Sequence, residues 1–343
     1  MISKTRKSTE EKPAAPKPAA PKPAARKPAK NRYVLLRALS YIPVLFGVTV
    51  LVFVLMRAAP GDAAYMLLTE HGKDVTRENL AQTRTELLLD APVWKQYAAW
   101  VAAAAKLDFG RSAINGREAL PQFVAHLAYT VRLALPAIAV MLFIALPCGV
   151  IAAARAGGAF DAAARAATVL ILSIPGFCAG LALLYLFGVK LALLPTFGAG
   201  GWRHMILPAA TLAAGAGAGY ARFIRAAVLE QLSADYIKAG LARGVRPGRL
   251  VNRAALRQAL PAIVTSVSMT LGLLLGGSAV IETVFSWPGV GKFLVDAVSK
   301  RDYAVVQCCV LLFGVFFVTL NFAAEIISML LDPKTRRGKG DAA

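Results

Sequence analysis

Acidic residues are few in this chain: 19 Asp and Glu stand against 39 Lys and Arg, a formal net charge of +20. Charged residues make up only 17 % of its 343 positions, where a soluble domain carries ~25 %. That is too little charge to cover an ordinary soluble globule. Histidine is scarcer still, at 3 residues. His71, His126 and His204 are scattered along the chain, whereas a transition-metal site needs several convergent imidazoles or carboxylates. The 4 cysteines, Cys148, Cys178, Cys308 and Cys309, lie in apolar stretches with neither metal-type spacing nor the pattern of a disulfide framework. They read as small hydrophobes that pack helices.

Apolar residues are what the chain has in excess: 57 % of positions, with a mean hydropathy of +0.57. The excess is gathered into stretches of about 20 residues, the length a helix needs to cross ~30 Å of hydrocarbon. The expected fold class is all-α: a polytopic membrane protein with six transmembrane helices, near 33–56, 129–154, 166–194, 205–220, 261–281 and 304–331. Lys and Arg resist translocation and collect in short cytoplasmic loops. The basic stretches 155–165, 222–260 and 333–343 then fall inside, and both termini are cytoplasmic. This topology also accounts for much of the +20 charge, so no nucleic-acid partner is expected.

The domain organisation follows from the same pattern. Residues 1–31 are a Lys/Pro/Ala-rich leader that cannot bury a core and is expected to be disordered. Residues 32–57 hold the first transmembrane helix. Residues 58–126 are polar with nearly balanced charges, which suits a translocated periplasmic segment. Within it Leu87, Leu88, Trp94, Tyr97, Trp100 and Val101 suggest short amphipathic helices. Residues 127–332 form a core of five further transmembrane helices, and 333–343 a basic cytoplasmic tail.

The polar island 222–260 inside that core is too long for a simple turn. Ser233 or Asp235 is placed to cap a helix, and Gly244 to stop it, with Arg243 in the last turn. Pro247 and Gly248 suggest a turn. A second helix from near Arg249 to Leu260 sets Arg249, Arg253 and Arg257 on one face. Ala234, Ala239, Gly240, Ala242 and Gly244 give the first helix a face with little bulk, suited to a groove on another protein. The competing reading is an interfacial loop held by anionic membrane lipid.

This island resembles the cytoplasmic coupling loop of ABC importer permeases. The generic Glu-Ala-Ala signature is poorly met, since Lys238, Ala239 and Gly240 stand in its first triplet and only Ala239 and Gly244 match. Asp235, Tyr236 and Ile237 at the start and Ala255-Leu-Arg-Gln-Ala-Leu-Pro261 at the end are instead similar to the longer loop of the dipeptide/oligopeptide/nickel subgroup. Further segments resemble the same permeases: Pro60-Gly-Asp62, Asp108-Phe-Gly-Arg-Ser112, His204-Met-Ile-Leu-Pro208 and Glu282 to Gly291. The likeness spans about residues 32–333 and is closer to the first of the two paired permeases.

The resemblance implies a type I transmembrane domain in the bacterial inner membrane, importing di- or oligopeptides. Its implied partners are a second permease subunit, two ATPase subunits or domains and a periplasmic substrate-binding protein. Coupling would run through Asp235, Tyr236, Ile237, Lys238, Ala239, Gly240, Ala242, Arg243 and Gly244. The same machinery importing nickel or another small solute is the alternative, disfavoured by the scattered histidines. A stand-alone secondary transporter is a further one, but the halves show no repeat.

No cofactor is expected in this chain, and ATP would be bound by the partners, so the chain is not read as an enzyme. Pro288-Gly-Val-Gly-Lys292 looks superficially like a phosphate loop, but Ser286 stands where its first Gly belongs and Phe293 where Ser or Thr belongs. Glu282 and Glu325, near or within spans, are possible pathway residues because a carboxylate is costly in lipid.

Overall fold

Proline and glycine punctuate this chain, and their positions set where its helices start and bend. The computed structural model describes residues 30–58, 63–70, 74–86 and 90–331. Side chains at 30–38, 58, 63, 66–67, 70, 86, 268–269, 271, 273, 275–277, 324–325 and 327–331 lie outside that description. So do most of the leader, the basic tail, Pro60-Gly-Asp62 and Leu87 and Leu88.

Among the described residues the structure is helical, apart from a lone antiparallel bridge between Arg111 and Glu118. Helix α1 (Lys30–Ala58) is followed by α2 (Ala63–Glu70), α3 (Arg77–Glu86) and α4 (Val93–Ala105). Next come α5 (Ala119–Ala154), α6 (Ala159–Ser173) and α7 (Gly176–Leu183), the last running on as a π turn over Leu184–Lys190. Helix α8 (Trp202–Leu232) leads to the short α9 (Asp235–Ala242). A single turn, α10 (Pro247–Arg249), passes through a second π turn (Leu250–Ala255) into α11 (Leu256–Val284). Helices α12 (Val290–Ser299) and α13 (Tyr303–Leu331) complete the order.

Among the described residues three stretches are long and apolar enough to cross a membrane: Leu39–Arg57, Ala119–Ala154 and Tyr303–Ala323. Helices α6 and α7 make a fourth when joined, bent by 93°. The break falls at Ile174-Pro175, where Ile174 takes an extended conformation. Pro175 disfavours the α conformation in the residue before it. The third span, expected as one rod, is therefore a broken one. Helices α8 and α11, of 31 and 29 residues, also have the length to cross. The interior of α8 is spent on Ala and Gly, whose side chains add little hydropathy. Six segments thus have the length to span, in an all-α polytopic arrangement.

Packing fixes three apolar clusters. The first joins Met141 and Ala145 of α5, Ile224 and Val228 of α8, Ile237 of α9 and Ile263 of α11. The second gathers Leu133, Leu212, Leu274, Phe285 and Trp287. The third sets Phe109 and Phe123 against Val305, Cys308 and Cys309. Those two cysteines are buried packing groups, but Cys178 is exposed. Large apolar side chains such as Phe143, 82 % exposed, also face outward, the surface expected of a protein solvated by lipid. Helix α4 lies on α1: the Thr49 and Tyr97 hydroxyls are 2.8 Å apart, and the rings of Phe53 and Tyr97 meet edge to face.

Candidate functional site

Helix α9 has one face set into the bundle and one face free. Ile237 is 4 % exposed and belongs to the cluster built by α5, α8 and α11. On either side of it Asp235, Tyr236, Lys238, Ala239, Leu241 and Ala242 are exposed. Neither expected cap forms. Ser233 Oγ instead donates to the Glu230 carbonyl at 2.7 Å, and Ala234 holds the cap position without a side-chain bond. Asp235 stands in the first turn, where the helix dipole favours a carboxylate. Lys238 Nζ donates to it at 3.0 Å.

The end of α9 is closed by its glycine. Gly244 adopts φ +78°, a left-handed conformation costly for residues with a Cβ. Its N–H donates to the Leu241 carbonyl at 2.9 Å, and Val245 N–H donates to the Gly240 carbonyl at 3.1 Å. Those two bonds make a Schellman closure, satisfying carbonyls the helix end leaves free. Pro247 then opens a helix rather than a turn; at a first helical position its missing N–H and fixed φ cost nothing. The helix expected to end at Leu260 and the span expected from Pro261 form one continuous rod. Arg249, Arg253 and Arg257 are all exposed along its first turns.

Two of the sequence-based expectations for the free face are corrected. Gly240 does not belong to it: a Cβ there would lie 2.7 Å from Leu250 Cδ2, so the glycine lets α9 settle onto the rod. Nor is the face featureless. Tyr236 is 41 % and Leu241 49 % exposed, two bulky groups among Ala239, Ala242, Arg243 and Gly244. Burial pushes the Tyr236 phenol above its ordinary pKa.

An ion pair that the sequence reading passed over lies one stretch of chain away. Asp161, taken as part of a basic loop, is in the first turn of α6 and 1 % exposed. Arg225 of α8 grips it with both arms of its fork, Nε to Oδ1 at 2.5 Å and Nη2 to Oδ2 at 2.8 Å. Gly157 N–H donates to Oδ2 at 3.0 Å, and Arg165 stands 3.7 Å away. The signal available was a lone acid between Arg155 and Arg165, just past a Gly-Gly pair.

Glu282 is inside the last turn of α11 and fully enclosed. Oε1 accepts from Thr130 Oγ1 at 2.9 Å and Ser278 Oγ at 3.0 Å, and Oε2 accepts from Lys292 N–H at 3.0 Å. The carboxylate thereby satisfies a free amide at the start of α12, where the dipole favours it. A Cβ on Gly289 would strike the carboxylate. His126 fixes the same turn, its Nδ1 donating to the Pro288 carbonyl at 2.7 Å while its ring stacks on Phe293. Lys292 Nζ is held by Asp296 at 2.5 Å. The Glu325 side chain lies outside the described residues.

Between α7, α8 and α11 a cavity of about 580 Å³ opens, lined in part by Thr211, Gly215, Gly219, Tyr220, Ser266 and Thr270. Glu282 does not line it. Thr211, Thr270 and Tyr220 donate their hydroxyl hydrogens to helix carbonyls, which leaves oxygen lone pairs as acceptors on an uncharged wall.

The family described as binding-protein-dependent transport system inner membrane component matches residues 145–337, and its N-terminal counterpart matches residues 30–123. Glutathione transport system permease protein GsiC of Escherichia coli (strain K12) is 36 % identical over 304 residues, covering 89 % of this chain and 98 % of its own length. The GsiC of Shigella flexneri serotype 5b (strain 8401) gives the same figures. Among solved structures, an inward-facing form of the MetNI methionine ABC transporter matches with a TM-score of 0.52 at 22 % identity, over 62 % of this chain and 96 % of that one. This last likeness is one of fold, that of a type I ABC importer transmembrane subunit. With two family regions over most of the chain and a full-length relative at 36 % identity, the chain belongs to the binding-protein-dependent transport system inner membrane component family, as a permease subunit of a bacterial inner-membrane ABC importer.

Proposed function

We propose that this permease forms, with a second permease subunit, an import path for di- and oligopeptides, including glutathione-sized ones. A periplasmic binding protein delivers the substrate, and two ATPase subunits or domains energise the complex, one of them docking on α9 of this chain. The observation that carries this reading is the division of α9 between a buried anchor, Ile237, and an exposed face of Tyr236, Lys238, Ala239, Leu241 and Ala242. A helix held that way moves with the bundle when its free face is pushed. The exposed arginines 249, 253 and 257 support a cytoplasmic side for this loop. The likeness to GsiC supports a peptide-class substrate.

In this reading, ATP-driven closure of the ATPase pair displaces α9 and reorients the spans. The uncharged cavity between α7, α8 and α11 provides acceptors for peptide N–H groups along the path. Glu282 anchors the neighbouring turn. The test is reconstitution of the whole importer in liposomes with its binding protein. Uptake of labelled dipeptide or glutathione should require ATP, and Ala239→Trp should abolish it while the permease still inserts. Uptake by the isolated chain on an ion gradient, or saturable uptake of nickel in place of peptide, would overturn the reading.

A further inference from the structure

The Asp161–Arg225 pair ties α6 to α8, two helices that lie side by side although none of the three apolar clusters includes a residue of α6. Arg225 sits on the same stretch of α8 as Ile224 and Val228, which are fully buried in the cluster that holds Ile237. Any displacement of α9 therefore reaches this part of α8 through close-packed side chains, which transmit strain. Helix α6 carries only Asp161 among its buried residues. Its exposed Val169, Leu170 and Ile171 face outward, so it has little apolar grip on the bundle.

Beyond α6 the chain bends by 93° into α7, which packs back on α8 and α11 where Gly180 meets Thr211 and Phe285. We propose that the Asp161–Arg225 pair is the strut that carries movement of α9 from α8 into the broken third span. The two are positioning residues for transport. This rests on the reading of α9 as the ATPase-docking helix.

The geometry suits that task. A guanidinium gripping a carboxylate through two bonds fixes direction as well as distance, which a lysine cannot do. Gly157 N–H and Arg165 hold the carboxylate from its other sides.

The experiment uses the complete importer reconstituted with its ATPases and binding protein, with labelled glutathione as the probe. Transport per ATP hydrolysed is measured for Arg225→Lys, Asp161→Asn and the two changes combined. The ratio should fall about fivefold or more in each single variant, the low end of coupling between linked sites. It should fall no further in the combined variant than in the weaker single one, because both changes break the same link. An unchanged ratio in Arg225→Lys and Asp161→Asn overturns the strut. So does a fall in transport and ATPase together that follows loss of assembled complex. Ala239→Trp separates the two ideas: if it leaves transport intact the docking reading fails, whereas if it blocks transport and the 161–225 variants do not, only the strut fails.

Discussion

Gly240 and Leu250 stand in close contact: a Cβ on the glycine would come within 2.7 Å of Leu250 Cδ2. The obstacle is the tip of a side chain, so Gly240→Ala should be absorbed by a small rotation of Leu250. Gly240→Leu should not, and overpacking of this kind costs about 1–3 kcal/mol. Helix α9 is then expected to lift from the rod, seen as faster hydrogen exchange over 235–242 and lost transport. Leu250→Ala in the same chain should restore protection in part.

Gly244 is held at φ +78° by the two bonds that close α9. Gly244→Ala should cost about 1–2 kcal/mol for the left-handed conformation. Gly244→Asn should cost less, because Asn tolerates that region. A thermal unfolding series of the purified importer checks the order Gly, Asn, Ala, Val from most to least stable.

Glu282 accepts three hydrogen bonds in full enclosure. Glu282→Ala takes away the shared acceptor of the Thr130 and Ser278 hydroxyls and strands the Lys292 amide. Each stranded buried group costs about 1–3 kcal/mol, so a lower melting temperature and loosening of 286–299 in hydrogen exchange are expected. Glu282→Asp, whose shorter arm reaches fewer donors, should fall between. A Glu282→Ala importer with unchanged melting would refute the anchor role.

Tyr236 and Leu241 are the two bulky groups on the free face of α9. Interface aromatics buried at the centre of a contact commonly contribute 1 kcal/mol or more, by a general estimate of about that size. Tyr236→Ala and Leu241→Ala should each weaken binding of the ATPase subunits roughly tenfold in a pull-down titration. Ile237→Ala acts differently: it empties a site in the core and should lower the stability of the permease itself, by about 2–5 kcal/mol.

Helices α1, α5 and α13 were legible because each carries an apolar run of membrane-crossing length, and the loop because its small residues, Gly244 and spaced arginines carry local signals. What escaped was decided by groups far apart in sequence. Pro247 offers both a turn and a helix start, and only the packing of Leu250 and Ala255 selects the second. Asp161 looks like one charge in a basic loop until Arg225, 64 positions on, is brought beside it. Glu282 looks like a polar residue at a span end until Thr130, 152 positions away, and the start of α12 close over it.

The sequence by itself determined that this is an all-α membrane protein and that its polar loop resembles the coupling loop of peptide-type ABC permeases. Those properties depend on composition, period and short motifs, which act over one or two helical turns. The tertiary structure alone decided which face of α9 is free, that Gly240 turns inward, that the third span is broken by 93°, and which arginine holds Asp161. Each of these depends on the distance between helices, and that distance is set by the side chains of all the helices that pack together.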